Sequence, residues 1–166
     1  MDSPTTAGER EQLERFVDEA RAEVRASLDG LTEEQARRRL VPSLTTPLGL
    51  VTHLTFVERV WFEVVLAGRT RAELGLPQEV DPTFVPPPGL TVADALAAYD
   101  EVCARSRSIA AAYPLDHVAV HHRMGELSLR WIHLHLLREI NRHAGHADIL
   151  REQLLADDEG RTTHLG

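Results

Sequence analysis

The sequence predicts an all-α fold: a four-helix bundle with crossover connections, plus one short helix and long loops. Three observations predict it. Apolar residues recur in steps of three and four over four long stretches, the period of a helix with one buried face. Threonine caps and glycine stops punctuate those stretches where helices would begin and end. No stretch shows convincing strand alternation. Long amphipathic helices with few strands bury their apolar stripes most simply against one another.

The first helix is GEREQLERFVDEARAEVRASLDGL, with Leu13, Phe16, Val17, Ala20, Val24 and Leu28 at helical spacing and Gly30 as its stop. Thr32 with Gln35 three residues on is a capping box for a short helix. Thr46 and Pro47 open the next helix, which runs to about Gly68. Its stripe is Leu50, His53, Val57, Val60 and Val64, and it is apolar around so much of its circumference that a central position is expected. Residues 69–90 form a long connection in which PQEVDPTFVPPPG excludes regular helix. Loops of that length in a compact fold are often functional or wrap an edge. Thr91, with Asp94 in the first turn, caps a helix carrying Ala95, Leu96, Tyr99, Val102, Cys103 and Ile109. A second loop, PLDHVAVHHRMGE, leads to the last helix, LSLRWIHLHLLREINRHAGHADILREQLL. We expect a single domain over residues 1–166, frayed at about 1–8 and 157–166.

Charge narrows the partners. With 26 acidic and 18 basic residues the net charge is -8, and no basic stripe of the kind nucleic acid needs is present. Arg37, Arg38 and Arg39 read as a solvated helical turn. No apolar run is long enough to cross a bilayer, and the N-terminal residues do not read as a signal peptide. The expectation is therefore a cytoplasmic protein with neither a nucleic-acid nor a membrane partner. The lone Cys103 excludes an internal disulfide framework and reads as a small buried residue, not a nucleophile. A serine nucleophile has no G-x-S-x-G support.

Nine histidines are the compositional oddity, and all but His53 lie after residue 116. On the last helix the seam reads Ile132, Leu136, Glu139, His143, Ala147, Leu150, Leu154. Glu139 and His143 stand where leucine is expected, and a buried carboxylate costs several kcal/mol, of order ~3 or more, unless paired or coordinated. Residues four apart share a helix face with Cβ atoms ~5–6 Å apart, so Glu139 and His143 can grip one ion. His143 with His146, and His135 with Glu139, are further candidate pairs. Glu139 and His146 are roughly 10 Å apart along the axis and cannot easily share one ion. His53, on the apolar stripe of the second long helix, is the natural partner from a facing helix. Two imidazoles and one carboxylate with open positions is the pattern of a catalytic metal site. A hydrogen-bonded Glu–His core pair is the competing reading, and spacing does not separate them. HExxH is absent, and EINRH is one residue too long for the ExxH of di-iron bundles.

Around that triad, His146 and His135 are candidates for supporting groups or proton carriers. Arg142 and Asp148 are candidates of the same kind, with exposed, neighbour-paired positions as the simpler reading. His121 and His122 sit in the loop before the last helix and could reach the mouth of the bundle. Trp61 and Trp131 read as core or dimer-interface aromatics.

GLVTHLTFVERVWF together with SLRWIHLHLLREINRHAGHADILRE resembles the DinB-like superfamily, particularly its actinobacterial branch. The resemblance covers most of the chain, from Leu13 to Glu152, and rests most specifically on RHAGHADILRE and the histidine of GLVTHL. It implies a four-helix bundle, often a homodimer, with a metal bound by one histidine of the second long helix and two ligands four apart on the last. His53 and His143 match the outer ligands. The middle ligand is commonly histidine; Glu139 departs from that and is similar to the His, Glu, His triad of mycothiol-dependent maleylpyruvate isomerases. The implied cofactor is a divalent metal, Zn²⁺ first, with Ni²⁺, Fe²⁺ or Mn²⁺ as alternatives. The implied activity is transfer or isomerisation using a low-molecular-weight thiol such as mycothiol or bacillithiol, with a small electrophile as substrate. A non-catalytic metal-binding stress protein, or a structural dimeric bundle, is the alternative.

Overall fold

The computed structural model describes residues 6–163, with side chains described as far as residue 157. Four long helices carry the fold: α1 (Glu9–Ala26), α3 (Pro47–Glu58), α4 (Val92–Ala111) and α5 (Leu129–Thr163). A short α2 (Glu33–Arg37) lies between the first two. A π-helical segment, Arg59–Leu66, continues α3 without a break, and a 3-10 turn, Asp81–Phe84, lies in the connection to α4. A hairpin of β1 (Val118–His121) and β2 (Gly125–Ser128) precedes α5.

Side-chain pairs give the helix directions. Glu9 meets Arg130 at one end of α1, and Arg151 donates to the Ser27 and Asp29 carbonyls at the other, so α1 and α5 run the same way. Asp18 pairs with Arg107 and Arg25 with Asp100, so α4 runs opposite to α1. The π-helical Phe62 faces His133 while His53 faces His143, so α3 runs opposite to α5. Helices α3 and α4 are thus parallel, and residues 67–91 must cross the length of the bundle between them. The other two connections, α1 to α3 and α4 to α5, join helices that run antiparallel.

Local chemistry sets the boundaries. Thr32 and Thr91 make reciprocal capping boxes with Gln35 and Asp94. The Thr46 hydroxyl accepts from the Gly49 N–H at 3.0 Å, and Pro47 takes the first helical turn of α3. Among the described residues, no helix is long and apolar enough to cross a membrane.

Three expectations change. The loop before α5 holds the β-hairpin, with Ala119 opposite Leu127 and both buried on the bundle, while Val118 and Val120 face outward. Strands of four residues are too short to carry an alternation signal. Phe16 is 55% exposed: it lies one position off the seam through Val17, Ala20 and Val24, which is narrower than the apolar count suggests. Helix α5 continues to Thr163, beyond Leu155, where the helical sequence pattern ends; the expected fraying of residues 1–5 and 164–166 lies outside the described residues.

One polar pair sits inside the bundle. Arg21 donates from Nε and Nη2 to the two oxygens of Glu58, both at 2.8 Å, and from Nη1 to Asp18 at 2.7 Å. Glu58 is fully buried. Burial opposes the guanidinium charge, but Glu58 outweighs it and raises the Arg21 pKa.

Candidate metal centre

Antiparallel packing of α3 against α5 brings three predicted residues together. Leu50 packs with Ala147 and Leu150 one turn below, which fixes His53 across from His143. Glu139, one turn along α5 from His143, completes the group. One ligand atom from each of His53, Glu139 and His143 lies within 4.8 Å of the others. His143 Nε2 is 3.4 Å from Glu139 Oε1, and the two imidazoles meet edge to face with centroids 4.9 Å apart. Both histidines are buried, while the Glu139 side chain is 20% exposed and opens to solvent.

The 3-10 turn holds His53. Its Nδ1 lies 2.8 Å from Thr83 Oγ1, and the Thr83 hydroxyl donates to the Val80 carbonyl at 2.6 Å. Phe84 stacks on the imidazole, centroids 3.9 Å apart and planes within 13°. Thr52 ties the same turn down by donating to the Thr83 carbonyl at 2.9 Å. The turn lies so close to α3 that a Cβ on Gly49 would collide with the Phe84 carbonyl oxygen. On His143 the buried Nδ1 has no hydrogen-bond partner.

The electrostatics favour a neutral imidazole beside a carboxylate. Burial, then the neighbouring His143, lowers the His53 pKa to about 4, against the pull of Glu139. Attraction to His143 holds Glu139 down at about 2, against the effect of burial. At neutral pH, His53 keeps a lone pair and Glu139 a charge, the protonation states metal ligands need.

Other candidates fall into place unequally. His135 lines the same cleft as Glu139, stacks on Trp131 (4.9 Å, 7°) and receives an Arg138 hydrogen bond at Nδ1. Arg142 approaches Glu139 at 3.8 Å from an exposed position. His146 is exposed, with its ring 5.5 Å from that of His143. Asp148 is exposed and makes no ion pair with the triad among the described residues. His121 and His122 reach the mouth, and Trp61, though buried, forms part of its wall against His121 and His135. Sequence reasoning missed Thr83 and Phe84; the proline-rich character of residues 77–89 was the signal that this connection does more than link helices.

His53 and Glu139 form the floor of an open cleft of about 1060 Å³, walled by the π-helical segment, the crossover connection and the hairpin. Winding i to i+5 is uncommon and frequently marks functional sites. No match to a curated protein was found. Residues 12–156 match the family model described as MST, Mycothiol-S-transferase, within the DinB-like superfamily. A match over that span, most of the chain, establishes that the chain belongs to the mycothiol-S-transferase family.

Proposed function

We propose that the protein is a divalent-metal-dependent transferase that moves a low-molecular-weight thiol of the mycothiol type onto a small electrophile, with His53, Glu139 and His143 as the metal ligands. The observation that carries this reading is the convergence of three ligand atoms within 4.8 Å, two of them from residues, His53 and Glu139, that line an open cleft. Two further features support the fit. The Thr83 bond leaves the His53 Nε2 lone pair available, the usual way a protein fixes a ligating tautomer. The 3.4 Å between His143 Nε2 and Glu139 Oε1 is long for a hydrogen bond but close to the roughly 3.4 Å between two ligands ~2.1 Å from a tetrahedral centre. The competing hydrogen-bonded core pair has no such explanation for that separation.

Two nitrogens and one oxygen suit Zn²⁺ first; Ni²⁺, Fe²⁺ and Mn²⁺ suit the same set. When bound, such an ion supplies Lewis acidity that keeps a thiol in its nucleophilic thiolate form. The protein's own groups prepare for it. Thr83 and Phe84 fix the plane of His53, and Glu139 contributes one negative charge. The apolar wall of Val57, Val60 and Trp61 excludes water from one side of the cleft.

The test pairs metal content with turnover. The purified wild type is expected to carry about one equivalent of divalent metal by elemental analysis, and His143→Ala to carry close to none. Metal-loaded wild type should accelerate mycothiol transfer to a benzyl halide, and a chelator should abolish it. Wild type without metal affinity, or metal-loaded protein no faster than buffer, would overturn the proposal.

A further inference from the structure

The mouth of the cleft holds cations that the acidic chain leaves unmatched. Many arginines elsewhere reach carboxylates, among them Arg15 to Glu19, Arg25 to Asp100, Arg107 to Asp18 and Arg130 to Glu9, while Arg37, Arg39 and Arg151 spend their donors on backbone carbonyls. Arg71 and Arg123 line the cleft and, among the described residues, pair with no carboxylate. Glu79 and Asp81 line it too, without pairing to either.

Arg71 is held in place. Its Nη1 donates to the Pro77 and Gln78 carbonyls at 3.1 and 2.8 Å, and its guanidinium lies over the Phe56 ring, 5.3 Å from the centroid. Its Nε and Nη2 donate to nothing among the described residues, so one edge of the fork is positioned and free. His121 is fixed as well. Its Nδ1 accepts from the Arg123 and Met124 backbone N–H groups at 3.2 and 3.3 Å, and its ring stacks on Trp61. With Nδ1 an acceptor, the neutral ring carries its proton on Nε2 and is a donor there. Burial first, then His122, Arg71 and Arg123, lowers the His121 pKa, which keeps that neutral tautomer in place.

We propose that this mouth is an anion subsite, in which Arg71, Arg123 and His121 bind a carboxylate of the small molecule that occupies the cleft. An oriented guanidinium edge, a second arginine and an imidazole N–H form a donor set suited to a planar carboxylate. The inference deepens the transferase reading and rests on it for what reacts, but not for what binds. The carboxylate can belong to the electrophile or, if the thiol is one that keeps a free carboxyl group unlike mycothiol, to the thiol.

Binding is tested first, by tryptophan fluorescence, using the stack of His121 on Trp61 as reporter. Wild type should bind benzoate at least about tenfold more tightly than benzamide. Arg123→Ala should lose most of that preference, whereas His143→Ala, with Glu139→Gln as a second triad variant, should keep it. Equal binding of the two probes by wild type, or a preference lost in the triad variants but kept in Arg123→Ala, overturns the subsite.

Turnover then identifies the source. With mycothiol as thiol, a fall of about tenfold in the 4-(bromomethyl)benzoate to 4-(bromomethyl)benzamide kcat/KM ratio on Arg123→Ala places the carboxylate on the electrophile. The same fall only for N-acetylcysteine against its amide, with the neutral halide fixed, places it on the thiol. Ratios that Arg123→Ala leaves unchanged for both pairs overturn the inference for the reaction. Absence of turnover with every pair overturns the transferase reading instead, and the benzoate titrations still decide the subsite.

Discussion

His53 Nδ1 and Thr83 Oγ1 lie 2.8 Å apart, and the Thr83 proton is already committed to the Val80 carbonyl. The hydroxyl oxygen must therefore accept from Nδ1–H, which places the lone pair of His53 on Nε2. A threonine in the crossover connection thus selects the tautomer of a histidine on α3. Thr83→Val keeps the shape and removes the acceptor. We expect metal affinity to fall by about 10–100-fold, measured by competition with a calibrated chelator, while helicity stays as in wild type. An unchanged affinity would remove Thr83 from the site.

Gly49 and Gly145 predict opposite outcomes for the same substitution. Both lie in helices, where alanine is ordinarily favoured by ~0.5–1 kcal/mol. A Cβ at Gly145 meets nothing within 4 Å, so Gly145→Ala should stabilise the protein by about that amount in urea denaturation. A Cβ at Gly49 meets backbone of the 3-10 turn, so Gly49→Ala should destabilise by ~1–3 kcal/mol and loosen metal binding as the turn moves off His53. Equal effects at the two glycines would show that the turn is not held where the structure has it.

How much of this was legible in the sequence depends on range. The caps at Thr32, Thr46 and Thr91 act over three residues and were readable. So was the α5 seam, because Ile132, Leu136, His143, Ala147, Leu150 and Leu154 lie on one helix with a fixed period, and all are buried. The pairing of His53 with Glu139 and His143 needed only the premise that both helices face one core, which their stripes supplied. Thr83 and Phe84 were illegible because 30 or so residues separate them from His53, and no local rule says where a proline-rich crossover will rest. The phase of the π-helical segment was hidden for a related reason. Winding i to i+5 buries Trp61, Phe62 and Val65 while Val64 stays half-exposed, a pattern that counting in steps of 3.6 cannot anticipate.

Arg21 and Glu58 tie α1 to α3 through two parallel hydrogen bonds in a buried setting. Removing one partner strands the other charge. Glu58→Gln is expected to cost about 3–5 kcal/mol in urea denaturation. The double variant Arg21→Met, Glu58→Leu should recover most of that loss, since an apolar pair of similar volume needs no compensation. If the double variant is as unstable as the single, the pair contributes more than its own desolvation cost and the interior of the bundle depends on it.

Cys103 supplies a pH signature of the same interior. It is 3% exposed, and burial first, then the Glu58 charge, pushes its thiol from 9.0 to about 12. The unfolded thiol ionises near 9, whereas the folded one keeps its proton to about 12. Between those values the unfolded chain binds fewer protons, so the contribution to stability is fully present below pH 9 and is lost as pH rises toward 12. From about pH 8.5 to about pH 10.5, wild type should lose about 2 kcal/mol more than Cys103→Ala loses over the same interval, read from urea midpoints and slopes at each pH. The thiolate is the reactive form, so the native protein at about pH 8 should resist a thiol-modifying disulfide that labels the denatured chain at once. Parallel pH profiles for wild type and Cys103→Ala, or rapid labelling of the native protein, would place Cys103 outside the buried interior.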